Sequence, residues 1–350
     1  MTAPVRFLQV EPTTRCNFTC GFCAGRSMPQ TDLPFERFVT ALDAFPALEH
    51  VELQGEGEPL MHPRFFEMVA LARSRGIKVS IISNGSLFGD EAIERILTLG
   101  IDKIAVSIES PDAARFQQIR GGKLDKVIRG VTALVAARDA RGLERPSVGL
   151  SITVLRSTKD ELPQILALYD ELGLDGGVTL QPLQAMDAYT RHYDDALRGE
   201  LLDAREADSL FARFFSDADV RRIQAARRGG KGFFAELMDG WKPARGTCPW
   251  LERGLYLHNG GAVTACCMVK DTENQAFGKL GDGDALLAAR DRMREQLKAR
   301  EIPAPCAGCE LARFAVMGKV QLAGFALRGL RDRWLGPPAA SKTVRLPVVE

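Results

Sequence analysis

Residues 16 to 23 read CNFTCGFC and set Cys16, Cys20 and Cys23 within eight positions. Cysteine thiolates are the ligands of iron–sulfur clusters, and a [4Fe–4S] cluster held entirely by protein takes four of them. Three thiolates in a C-x3-C-x2-C loop can wrap one such cube and leave one iron without a protein ligand. An open position on a metal marks a catalytic rather than a structural site. Zinc would ask for a fourth ligand close by, and the next cysteine after Cys23 is Cys248.

Cys248, Cys266, Cys306 and Cys309 form a second set, the last two in CAGC. Four thiolates would complete a [4Fe–4S] cluster with no open iron, and two ligands plus C-x2-C also suit a zinc ribbon. GLYLHNGGAVTACCMV, 254–269, reads as a β-hairpin turning at Asn259-Gly260. Alternation along its second strand would send Cys266 and Cys267 to opposite faces. Of the eight cysteines, Cys267 alone has no place in either set.

The elements that must position these thiols follow from periodicity. Short apolar, β-branched runs at 7–12, 50–55, 77–83, 102–110, 148–155 and 177–182 alternate with amphipathic stretches at 34–45, 63–75, 90–99, 111–119, 124–141 and 159–172. Six βα alternations predict a parallel sheet with right-handed crossovers, as a barrel or an open doubly wound sheet. The cysteine loop follows the first strand, at the sheet end where barrel enzymes keep their chemistry. The pattern breaks after 185. A charged helical insert is expected over 186–245, a cluster-binding segment of hairpin and helix over 246–312, and an amphipathic helix and tail over 313–350.

In these features the sequence resembles the radical S-adenosylmethionine (SAM) enzymes. CNFTCGFC matches their CxxxCxxC motif, with aromatic Phe22 before the last cysteine. LQGEGEPLMHP (53–63) resembles the stretch that presents acceptors to the SAM ammonium, which here would be Glu56, Gly57 and Glu58. IISNGS (81–86) ends the third strand as in the family and supplies Asn84. SIES (107–110) would bring Ser107 and Glu109 to the ribose, and IRGGKL (119–124) would bring Arg120 to the SAM carboxylate. The resemblance covers about residues 5 to 185 and implies a partial (β/α)6 TIM barrel. It also implies a [4Fe–4S] cluster on Cys16, Cys20 and Cys23, SAM on its open iron, and a 5′-deoxyadenosyl radical that takes a hydrogen atom from the substrate. The second cysteine set resembles the shortened, twitch-type form of the SPASM domain. That resemblance implies an auxiliary [4Fe–4S] cluster on Cys248, Cys266, Cys306 and Cys309.

Twitch-type relatives oxidise or epimerise carbohydrates and aminocyclitols in antibiotic biosynthesis. In oxidation the auxiliary cluster accepts the second electron; in epimerisation a cysteine, here Cys267, returns the hydrogen atom. A polar small-molecule substrate of this class is the expectation, with Gln9, Glu11, Ser151, Thr153, Gln181 and Gln184 as candidate partners and Tyr189, His192 and Tyr193 as a candidate lid. A flavodoxin- or ferredoxin-type protein is the expected electron donor. Peptide modification is the alternative enzyme reading, and an iron–sulfur electron-transfer protein the non-enzyme one. The 350 residues are 45% apolar with a net charge of +1, which gives a large core and no general affinity for nucleic acid or anionic membrane. No apolar run is long enough to span a bilayer. The N-terminus lacks a signal-peptide pattern, so a cytoplasmic protein is expected.

Overall fold

Near-continuous apolar runs suit strands covered on both faces. The computed structural model, which describes residues 3–226 and 246–318, builds them into one sheet. β1 (Phe7–Val10), β2 (His50–Leu53), β3 (Lys78–Ser83), β4 (Lys103–Ser107), β5 (Ser147–Val154) and β6 (Val178–Pro182) lie side by side in chain order, every neighbour parallel. The sheet curves as a partial barrel and does not close, since β6 is one of its edges. Several strands end short of the apolar runs that predicted them. The residues left over, such as Glu11, Gln54 and Glu109, leave the ladder at the C-terminal end and enter the loops of the site.

Helices cover the sheet between strands: α1 (Phe35–Ala44), α2 (Phe65–Ser74), α3 (Asp90–Leu99), α4 (Ala113–Arg120), α5 (Leu124–Ala140) and α6 (Leu162–Glu171). Each buries one apolar stripe, as Ile93, Ile96 and Leu97 do in α3. Their ends follow from local chemistry. The Asp112 side chain accepts from the Arg115 N–H at 2.7 Å and starts α4, and left-handed Gly121 ends it. That stop matters to the site, because it leaves Arg120 in the last turn, facing the cysteine loop.

Beyond β6 the predicted helical insert forms α7 (Asp187–Thr190), α8 (Asp195–Gly199), α9 (Ala204–Ser216) and α10 (Ala218–Ala226); the rest of that stretch, 227–245, lies outside the described residues. Its charges do not face solvent alone. Glu206 pairs with Arg156 and Lys159, Arg213 with Asp160, and Arg222 with Asp170, fastening the insert to the β5–α6 side of the barrel.

The C-terminal segment contributes α11 (Pro249–Arg253), β7 (Gly254–Leu257), β8 (Ala262–Thr264), β9 (Gly278–Lys279), α12 (Asp284–Lys298) and α13 (Glu310–Val316). The predicted hairpin is present and extends the barrel sheet: β7 pairs parallel with β1, and β8 and β9 follow antiparallel. Its loop is not the expected two-residue Asn-Gly turn. The His258 N–H bonds the Ala262 carbonyl at 2.9 Å, which leaves three loop residues, 259–261, with Gly261 at φ +95° supplying the left-handed position. Of the helix and tail expected over 313–350 the structure describes 313–318, which hold the end of α13, and 319–350 lies outside the described residues. No helix among the described residues is long and apolar enough to cross a membrane.

Candidate active site at the C-terminal end of the sheet

The cysteine loop leaves β1 through Thr13 and Thr14. Their hydroxyls anchor it to Asp32 at 2.7 Å and to the Pro29 carbonyl at 2.6 Å. Its far side is tied to the end of α4, where the Thr19 N–H donates to the Arg120 carbonyl at 2.9 Å. Phe18 packs edge-on against Phe116 at 6.2 Å between ring centres. Two glycines permit the close fit: a Cβ at Gly57 would stand 2.4 Å from the Thr13 carbonyl oxygen, and one at Gly122 would strike the Phe18 ring at 2.2 Å.

Cys16, Cys20 and Cys23 open onto one cavity of about 400 Å³. Nitrogen donors approach two of the sulfurs. The Phe18 N–H lies 3.4 Å and the Asn84 amide 3.8 Å from Cys16 Sγ, and the Arg120 guanidinium lies 3.8 Å from Cys20 Sγ. Burial pushes the Cys20 thiol up to about 11 and raises Cys16 and Cys23 as well, so these groups ionise when a cation takes the proton's place. Three thiols facing one space, with donors aimed at sulfur, fit an iron–sulfur cluster with one open iron.

Of the residues expected around SAM, Phe22, Glu56, Gly57, Glu58, Asn84, Ser107 and Arg120 all line this cavity. Their partners separate their parts. Glu58 is bound into the scaffold: its carboxylate accepts from the Asn84 N–H at 2.7 Å, Ser83 Oγ at 2.8 Å and the Leu60 N–H at 3.3 Å. Burial nevertheless raises it to about 6. Glu109 is not a lining residue. It is fully buried, and its carboxylate forms a two-point ion pair with the Arg120 guanidinium.

Glu56 carries a partner the sequence did not suggest. Its carboxylate accepts from Lys270 Nζ at 2.6 Å, and its other oxygen lies 3.2 Å from Cys23 Sγ and 3.3 Å from the Gly25 N–H. Burial alone would raise Glu56, but the Lys270 ammonium, together with hydrogen bonds from Cys23 and the Gly25 N–H, outweighs it and holds the carboxyl below its usual value. Burial would likewise depress Lys270, but Glu56, Tyr256 and Glu11 outweigh it. Lys270 is the first charge after the apolar CCMV run and is followed at once by Asp271, so nothing in the local sequence singles it out.

The second cysteine set sits behind the site. Cys248, Cys266, Cys306 and Cys309 all pack in one cluster with Leu251, Val269 and Leu297, and Cys306 feels the charge of the other three. Among the described residues no three His, Cys, Asp or Glu side chains close tightly enough to hold a single metal ion. Cys267 parts from its neighbour and lines the cavity. Strand alternation is not the cause, because β8 ends at Thr264 and both cysteines lie in the turn that follows.

Ser151, Thr153, Gln181 and Gln184 line the cavity as expected, joined by Thr179 and Gln54. Gln9 and Glu11 do not. Gln9 lies beneath, bonded to Gln54, and Glu11 accepts from the Glu56 and Asn259 N–H groups at 3.0 and 3.3 Å. Of the candidate lid, Tyr189 and Tyr193 reach the cavity, whereas His192 is outside it beside Ser27.

Comparison with known proteins agrees with this geometry. Residues 10–169 match the model of the Radical SAM superfamily. The chain is 31% identical over 181 residues to the tungsten-containing aldehyde ferredoxin oxidoreductase cofactor-modifying protein of Pyrococcus furiosus, a match covering 49% of this chain and 50% of that protein. The chain thus spans about half the length of that relative. It is 30% identical over 251 residues to the GTP 3′,8-cyclase of Mesorhizobium japonicum, covering 67% and 72% of the two chains. Among solved structures, Streptococcus suis SuiB bound to precursor peptide SuiA aligns with TM-score 0.63 at 13% identity, over 90% of this chain and 71% of that one. These names span a cofactor, a nucleotide and a peptide, so the likeness carries the common chemistry and the fold but no substrate. The chain belongs to the radical SAM superfamily, whose members use a [4Fe–4S] cluster and SAM.

Proposed function

We propose that this radical SAM enzyme abstracts a hydrogen atom from a carbon of a hydroxyl-rich small molecule, sugar- or aminocyclitol-like, and that Cys267 returns hydrogen to the opposite face. One observation carries the reading: Cys267 alone of the C-terminal cysteines shares the cavity with Cys16, Cys20 and Cys23. Burial holds its thiol pKa well above the usual value. The sulfur therefore keeps its hydrogen, which is the form a hydrogen-atom donor needs.

Cys16, Cys20 and Cys23 would hold the SAM-binding cluster, and Cys248, Cys266, Cys306 and Cys309 an auxiliary one. The bound cluster and SAM together supply the 5′-deoxyadenosyl radical. Arg120, steered by Glu109, would take the SAM carboxylate, Ser107 the ribose, and Phe22 would pack against the cofactor. Ser151, Thr153, Thr179, Gln181 and Gln184 offer hydroxyl and amide groups suited to a polyol. The thiyl left on Cys267 would need one electron and one proton to reset; the adjacent Cys266 would hold the auxiliary cluster, which when bound would supply the electron, and solvent would supply the proton. The domain division proposed is a barrel over 1–185, the helical insert over 186–245, the auxiliary segment over 246–312 and a C-terminal helix and tail over 313–350.

The test is turnover of the anaerobically reconstituted protein with reductant, SAM and a panel of sugars and aminocyclitols in D2O. The expected product keeps its formula apart from one solvent deuterium at an inverted carbon, and Cys267→Ala cleaves SAM without making it. A product two hydrogens poorer, formed equally by Cys267→Ala, would replace this reading with oxidation through the auxiliary cluster. No response to any polyol would remove the substrate class.

A further inference from the structure

Three of the residues expected around SAM carry carboxylates: Glu56 and Glu58 line the cavity, Glu109 is buried outside its lining, and two of the three are already committed. Glu58 accepts from two backbone N–H groups and a serine hydroxyl, and Glu109 is saturated by Arg120. Glu56 is the remaining one, and a lysine ammonium sits on it at 2.6 Å. Both side chains line the cavity, and both are largely buried, at 5% exposed for Lys270 and 12% for Glu56. An alkylammonium on a carboxylate in that place is the same chemical group as the amine of SAM's methionyl end.

We infer that Lys270 occupies on Glu56 the place that the SAM ammonium takes, so that SAM binds by displacing a built-in competitor. The inference rests on the SAM site proposed above. Removing one partner of a buried ion pair is costly because the other is left uncompensated. Exchange of one ammonium for another avoids that cost at Glu56. Lys270 has a second carboxylate within its electrostatic reach: Glu11 is buried, accepts from two backbone N–H groups at 3.0 and 3.3 Å, and lies 4.0 Å from His258 Nδ1. The lysine lies in the segment after β8 that belongs to no strand or helix, on a long flexible stem, so the swing needs no change in the sheet. Lys270 is then a positioning residue that sets SAM affinity and joins the Cys266–Cys267 turn to the cysteine loop.

The experiment measures binding of two probes to the reconstituted holoprotein by equilibrium dialysis under anaerobic conditions. SAM carries the ammonium; 5′-methylthioadenosine has the adenosyl sulfur without it. Lys270→Gln, with iron content equal to wild type, is expected to bind SAM roughly tenfold more tightly and 5′-methylthioadenosine unchanged, a tenfold step being one carboxylate–ammonium contact of modest strength. Lys270→Arg restores wild-type behaviour. Glu56→Gln gives an independent check should Lys270→Gln fail to fold: SAM weakens about tenfold and the thioether is unaffected. The inference is overturned if Lys270→Gln binds SAM no more tightly, if both probes shift together, or if Glu56→Gln leaves SAM affinity intact. Wild type that binds the thioether but not SAM would bring down the SAM-site reading itself.

Discussion

At the residue scale the site works by close approach. The CxxxCxxC spacing and the Glu56–Glu58 stretch were legible because metal ligation and tight turns need particular residue types at fixed offsets. Lys270 was not, because its meaning lies in a contact with Glu56 across more than two hundred residues of chain. Glu109, expected at the ribose, instead lies outside the cavity lining, and nothing in SIES says that Arg120 will take both of its oxygens. The glycines give a direct prediction. Gly57→Ala would press a methyl against the carbonyl oxygens of Thr13 and Arg15 at 2.4 and 2.5 Å, backbone atoms that cannot turn aside. We expect a loss of about 1–3 kcal/mol of stability from the overpacking. Iron retention should fall with it, because the cysteine loop is what must move. Urea denaturation and iron assay of the purified variant measure both, and unchanged values in both would contradict the account.

At the element scale, periodicity located six strands and their helices, and errors fell at the ends, where site loops take over. The hairpin was legible from its sequence; its pairing with β1 was not, because parallel partnership leaves no local mark. The sheet also carries a pH dependence. Burial pushes His50 down to about 4 and His258 down to about 3, against an ordinary value of 6.5. Below pH 6.5 the unfolded chain therefore binds more protons than the folded one, so the stability from these neutral imidazoles is complete above pH 6.5 and lost as pH falls toward 4. His50 lies on β2, bonded to Ser80 of β3 at 2.7 Å. His50→Gln should shrink the drop in urea midpoint between pH 7.5 and pH 5. An identical drop in wild type and variant would show that His50 does not supply it.

At the scale of the molecule, β7 beside β1 is the connection that matters. It brings the C-terminal cysteines to the strand that launches the first cysteine loop, so that Cys267 enters the same cavity while four thiols stay behind it. No single segment announces this arrangement, because it depends on which sheet edge the hairpin joins. It predicts two separable clusters. Reconstituted wild type should carry about eight irons, and either Cys16/Cys20/Cys23→Ala or Cys248/Cys266→Ala about four. Zinc on the C-terminal set, with four irons in wild type, would remove the auxiliary electron source.

The most direct measurement of the central claim is formation of 5′-deoxyadenosine from SAM by the anaerobically reconstituted protein with a strong reductant, compared with the Cys16/Cys20/Cys23→Ala variant. The account predicts steady 5′-deoxyadenosine from wild type and none from the variant. A wild-type protein with its cluster assembled that releases no 5′-deoxyadenosine, or a variant that still does, would contradict it.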